Sequence, residues 1–303
     1  MPGLSTINNM ENGQDKPYDL RTLFKAVGRV GGRGGDNAAL TREDSGEEVS
    51  MLETSPLEVT CEPASIEGFV DGIQAQMHLT HIERRPVSLY YVAAGALGEG
   101  AMPRALVEKM RIQCGAGDVE WVENLGSNIP VEILASTSPP EMEAEAAQAV
   151  GKARDEAERD VVELILREKS EGFVVVDGSL LARPRSNRIV GVVKSAKSRY
   201  ISDERVVWDL KKGWRSPRFT IGSEGTLRYS CYVQLVDKKE GAWNLGLIRL
   251  ESFVLENLEP MAARCLQEVQ TQSGGDPRWD RHLGSVRAVE EFLRARRPAA
   301  FSM

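Results

Sequence analysis

Oily and polar positions change period several times along this chain, and each change predicts an element. Residues 66–70 form a short apolar run closed by Asp71-Gly72, residues 74–82 alternate with a period of two, and residues 87–94 are apolar almost throughout. With the short links between them, these runs predict three strands in an antiparallel meander, the first ending at Asp71. Residues 98–139 are less regular; they predict a short helix over 104–111 and strands at 119–122 and 131–134. Ser138-Pro139-Pro140 then opens a long helix over about 141–169, with prolines at its mouth and acidic residues in its first turn. Its apolar stripe, Val150, Ala153, Ala157, Val161, Leu164 and Ile165, has the helical period. After the turn at 170–172, residues 173–177 form an oily strand that ends on Asp177-Gly178 and leads into a basic hairpin. Downstream, strands are predicted at 226–236 and 245–253, and helices at 257–270 and 285–296.

The first 56 residues carry few apolar anchors. GRVGGRGGDN at 28–37 and TREDSGEEVS at 41–50 read as a flexible region, preceded by a short helix at 19–27. The glycine-rich stretch has no GK[ST] ending and no strand before it, so it does not read as a phosphate loop. The rest, 57–303, reads as one elaborated domain, without internal repeats.

The element order carries the functional reading. Three strands in a meander, a helix and a returning strand predict a right-handed crossover that sets the fourth strand parallel to the first. That is the ribonuclease H-like arrangement: an α/β fold with a central mixed sheet and flanking helices. It would bring Asp71 and Asp177 side by side. Neighbouring carboxylates repel unless a cation stands between them, and a divalent metal is the usual solution. Magnesium and manganese prefer oxygen ligands, so two or three carboxylates suffice. On the helix, Glu158 and Asp160 flank the apolar stripe while Glu163 lies further toward solvent, and each is a candidate third acid. His78 and His81 are three residues apart in a strand, hence expected on opposite faces, which argues against a joint metal site.

Charge sharpens the expected partner. Net charge is −7, yet residues 183–218 hold eleven Lys or Arg against three acids. Positive potential focused on one region of an acidic molecule suits a polyanion gripped at one place. Arg183, Arg185, Arg188, Lys197 and Arg199 are the candidate phosphate contacts, with Trp208, Trp214 or Tyr200 as base-stacking surfaces; Trp208, between Val207 and Leu210, has the stronger claim to core packing. Four scattered cysteines, Cys61, Cys114, Cys231 and Cys265, suggest neither a disulfide framework nor structural zinc. No apolar run reaches ~18 residues and the first residues lack a signal-peptide pattern, so a soluble cytoplasmic protein is expected.

Four segments together resemble the NurA nucleases, which work beside the HerA DNA translocase: GFVDGIQ at 68–74, VVVDGSL at 174–180 with IVGVVKS at 189–195, LGLIRLES at 245–252, and GGDPRWDRHLGSVRAVEEFLR at 274–294. The resemblance implies a ribonuclease H-like core, a homodimer, cleavage of DNA with Mn2+ or Mg2+, and docking on a hexameric HerA ring. It implies that Asp71 and Asp177 bind metal, that one helix acid joins them, with Glu158 first, Asp160 second and Glu163 competing, and that Lys194 and His282 contribute to catalysis. Two other readings stand beside it. A catalytically weak or inactive relative would keep the fold as an adaptor for the translocase. An actin-like ATP-binding fold shares the strand order, but GIQAQMH lacks the glycine-rich phosphate loop which that class needs.

Overall fold

One mixed sheet runs through the computed structural model, which describes residues 5–8, 18–27, 47–168, 170–194, 200–238, 245–269 and 284–302. In chain order its elements are β1 (Ser5–Asn8), α1 (Leu20–Val27), β2 (Val49–Met51), β3 (Leu57–Glu58), β4 (Ile66–Ile82), β5 (Arg85–Leu97), β6 (Pro103–Gly115), α2 (Val119–Glu123), β7 (Val131–Leu134) and α3 (Pro139–Leu166). There follow β8 (Phe173–Asp177), β9 (Ile189–Val193), α4 (Arg205–Trp208), β10 (Trp214–Arg215), β11 (Phe219–Ile221), β12 (Arg228–Gln234), β13 (Leu247–Ser252), α5 (Leu258–Glu268) and α6 (Gly284–Arg296). The main strand order is β1-β6-β5-β4-β8-β9-β13-β12-β10-β3.

At its heart lie the expected meander and crossover. β4, β5 and β6 pair antiparallel, α3 crosses over, and β8 returns parallel to β4 through Phe69↔Val175 and Val70↔Val176. The strands are longer than their apolar runs suggest. Residues 66–82 form one strand, so Asp71 stands in mid-strand instead of closing a turn. The reason is visible in the pairing: β4 keeps β5 as a neighbour for nearly its whole length, whereas β8 accompanies it only as far as Val70. Beyond that point one edge of β4 lacks a strand partner among the described residues, and polar side chains become tolerable there.

Four further expectations are corrected. Residues 104–111 are strand, not helix, because β6 pairs with β5 along its length and is covered on both faces, which buries Ala105, Leu106 and Val107 in succession and hides the period. Residues 119–122 form the single turn of α2 instead of a strand. The basic segment after Asp177 is no hairpin, since β9 pairs parallel to β8. Finally, a register shift between His78 and Thr80 inserts a β-bulge that resets the alternation of side chains. His78 and His81 therefore meet, their ring nitrogens 3.0 Å apart.

Helices cover both faces. α3 begins where Ser138, in extended geometry, precedes the two prolines, and its hydroxyl donates to Glu141 at 2.7 Å. Ala157, Val161, Val162 and Ile165 pack on Val70, Ala94, Val107, Val174 and Val176. Alternation sends Val175, Val190 and Val192 to the opposite face, where they join Met261, Cys265, Val289 and Leu293 from α5 and α6. Regular structure also appears before residue 57: β2 pairs with β11, and Glu53, between β2 and β3, holds Arg215 and Arg218. No helix among the described residues is long and apolar enough to cross a membrane.

Candidate active site

Asp71 and Asp177 each follow the last paired residues of two neighbouring parallel strands, Val70 and Val176, so register alone sets them next to each other. Asp71 is half-buried and its carboxyl is pushed up to about 7. Loss of solvent is the main cause and the nearby Asp177 charge the second; Lys194, the Gly72 N–H and, in the opposite sense, Glu158 act more weakly. The Gly72 N–H donates to Asp71 Oδ1 at 2.8 Å. Lys194, immediately after β9, reaches Asp177 Oδ2 at 2.7 Å. The chain leaves Asp177 through Gly178 at φ +106, a left-handed conformation that glycine adopts without a Cβ penalty.

Of the three helix acids, Glu158 is the one that joins this pair. It is 5 % exposed, and a Cβ built on Gly72 would stand 2.4 Å from its Oε1, so glycine at 72 is what lets the helix acid approach the strand. Burial raises its carboxyl, opposed by Arg183 and Arg154. Arg183 donates directly to Glu158 Oε2, and Arg154 Nε lies 3.5 Å from Oε1. Asp160 turns instead toward Lys109 at 3.3 Å, and Glu163 toward Arg167 at 3.7 Å. The acids and cations line a cleft of about 520 Å3 together with Asp155, Ser179, Leu181 and Ala182.

The loop between β8 and β9 is anchored from behind by Glu251 on β13. This carboxylate is fully buried; its Oε2 accepts from Ser179 Oγ and the Leu180 N–H, both at 2.8 Å, and its Oε1 from Arg249 at 2.7 Å. Arg228 Nε adds an ion contact at 3.2 Å, and the other end of Arg228 holds Glu47. The pair Arg249 and Glu251, which alternation alone leaves as either surface or core, is thus part of the core that supports the loop. Glu251→Gln is expected to cost about 3 kcal/mol, because it removes the charge that balances two buried guanidiniums. Urea unfolding measures this, and an unchanged midpoint would mean the network is energetically idle.

The other candidates divide. Arg183 and Lys194 line the cleft. Arg185 donates to the Gly225 carbonyl at 2.7 Å and lies over the Phe253 ring, while Arg188 donates to Gly172 and Glu168 carbonyls at the end of α3. Lys197, Arg199 and His282 lie outside the described residues, as does the glycine-rich stretch at 28–37. Tyr200 is buried beneath Arg249, whereas Trp208 is 42 % exposed, the reverse of their expected roles in stacking and packing. Arg154 was not singled out by sequence. Its signal was the i,i+4 spacing to Glu158 on the same helical face.

Chemically, the strand and helix acids form an all-oxygen donor set suited to a hard divalent cation. As the side chains stand, no group of three His, Cys, Asp or Glu is arranged to hold a metal among the described residues; Glu158 faces Arg183 and Asp177 faces Lys194. The carboxyl of half-buried Asp71 is raised by loss of solvent and by the Asp177 charge, and a bound cation would favour its ionised form. The residue types suit such an ion, although Glu158 and Asp177 would have to turn from Arg183 and Lys194 to hold it. Compared with known proteins, the chain matches no family model and no curated protein.

Proposed function

We propose that this chain is a metal-dependent DNA nuclease of the NurA type, built on a ribonuclease H-like core and working as a homodimer with a hexameric HerA-type translocase in DNA end processing or antiviral defence. The observation that carries the reading is the register of β4 and β8, which makes Asp71 and Asp177 neighbours under Glu158. The meander, the helical crossover and the parallel strands β8 and β9 support the fold.

In this reading Asp71, Asp177 and Glu158 hold Mn2+ or Mg2+. A divalent ion, when bound, lowers the pKa of water and stabilises charge on the phosphate. Lys194 stands beside Asp177 to offset charge developing on the scissile phosphate. Arg183 and Arg154 neutralise Glu158 without the metal and contact backbone phosphates when DNA enters. His282, which matches a histidine of the family, would orient the nucleophile, protonate the leaving group or help hold the metal.

A second reading has its own support. Two of the three acids, Glu158 and Asp177, already have cation partners within the chain, Arg183 and Lys194, as expected of an inactive relative serving as an adaptor for the translocase. Incubation with linear DNA separates the two. The nuclease reading expects degradation with Mn2+ or Mg2+, none with chelator, and faster degradation when the ring is supplied. Absence of degradation under every metal, with and without the ring, leaves the adaptor.

A further inference from the structure

At the far end of β4 from the acids, His78 and His81 form a pair that the proposed chemistry does not use. Their contact exists because the bulge between His78 and Thr80 brings two residues of otherwise opposite facing to the same side. His78 Nε2 and His81 Nδ1 are 3.0 Å apart, with ring centroids 4.2 Å apart and planes inclined by 44°. Two imidazole nitrogens bound to one ion at about 2.0–2.1 Å stand roughly 2.9–3.4 Å from each other at tetrahedral or octahedral angles. The pair already has this spacing. His81 is exposed, so an ion has access.

We propose that His78 and His81 form a second metal site, selective for a nitrogen-preferring divalent ion of the zinc, nickel or copper type. Binding requires both nitrogens to present lone pairs. The ring that carries its proton on the shared edge shifts it to its other nitrogen, so the neutral pair binds without net proton release. The two rings must rotate from their mutual contact for the lone pairs to converge on one ion. Glu143 on α3 is exposed and acts electrostatically on His78, adding negative potential at the pair; His81 is the other titratable group acting on it. Water completes the shell. Seven residues of extended strand put the pair roughly 23 Å from Asp71, so the site is separate from the carboxylates. Ligand softness separates them as well, since imidazoles favour nickel and zinc where carboxylates favour magnesium and manganese.

The site is tested with Ni2+ on the full chain, purified without a histidine tag and carrying Asp177→Asn to weaken the acidic cleft. Calorimetric titration is expected to give one nickel site, weakened by a factor of about 10 or more in His81→Ala, because the ion loses its second tether. Cu2+ loaded in its place is expected to show two nitrogen couplings by electron paramagnetic resonance, falling to one in His81→Ala. Equal nickel affinity in the parent and in His81→Ala overturns the proposal. So does loss of the site in His282→Ala with His81→Ala unaffected. The expectations hold whether or not the chain cuts DNA.

Discussion

Asp177→Asn is expected to reduce Mn2+-dependent degradation of linear DNA by a factor of about 10^3 or more, because it removes a charged oxygen from the site where a divalent ion would bind. The substitution keeps shape and one carbonyl acceptor, so strand pairing through Val176↔Gly191 and the turn at Gly178 should survive. Lys194 loses its ion partner but remains partly hydrated at 18 % side-chain exposure, so its desolvation cost is limited. The expected result is therefore a folded protein with an unchanged circular dichroism spectrum and no degradation above the chelator control. Parental rates in the variant would remove Asp177 from the chemistry and leave the carboxylate pair as architecture.

The second large effect concerns pH. The folded protein holds the Asp71 carboxyl near 7, against 3.8 for the ordinary side chain. Between these values the native state binds more protons than the unfolded state, so stability falls as pH rises through that window and levels off above about 7. Three pH units correspond to about 4 kcal/mol as an upper bound. Glu158 is also raised, mainly by burial, and contributes with the same sign above 4.5. Asp71→Asn is accordingly expected to be more stable than the parent at pH 8, with the difference shrinking toward pH 4. Adding Mn2+ at pH 8 should stabilise the parent and narrow the gap, since the ion favours the ionised carboxylate. Denaturant titrations of both proteins across pH measure this. A difference independent of pH would mean that Asp71 is not titrating in the folded state, and a parent indifferent to Mn2+ would deny the carboxylates their ion.

The parts legible in the sequence were those set by local pattern and chain order. Residues 173–177 are oily enough to call for a buried strand, and a helix before them nearly forces a parallel return, so the proximity of Asp71 and Asp177 followed from topology. The wheel of α3 identified Glu158 and Asp160 as equivalent flanks. In the fold, Gly72 leaves room for Glu158, the first choice among them, while Lys109 holds Asp160 away. What could not be read was set by neighbours distant in sequence. Asp71-Gly72 resembles a turn until β5 is seen pairing past it. The run Ala105, Leu106, Val107 loses its alternation because both faces of β6 are covered. The bulge that brings His78 to His81 has no signature in the residues around it. The charge of the basic segment does not by itself give the partners of its residues: of its described members, Arg183, Lys194, Lys212, Arg215 and Arg218 are engaged with carboxylates of the same chain, and Arg183 and Lys194 line the cleft.

The contact between Arg228 and Glu47 has a bearing on how the cleft is kept in shape. Through Glu251, that arginine links a residue in the first sixth of the sequence to the backbone of Leu180, three positions past Asp177. Glu47 thus braces, from the far side of the sheet strand that carries Glu251, the loop on the rim of the cleft.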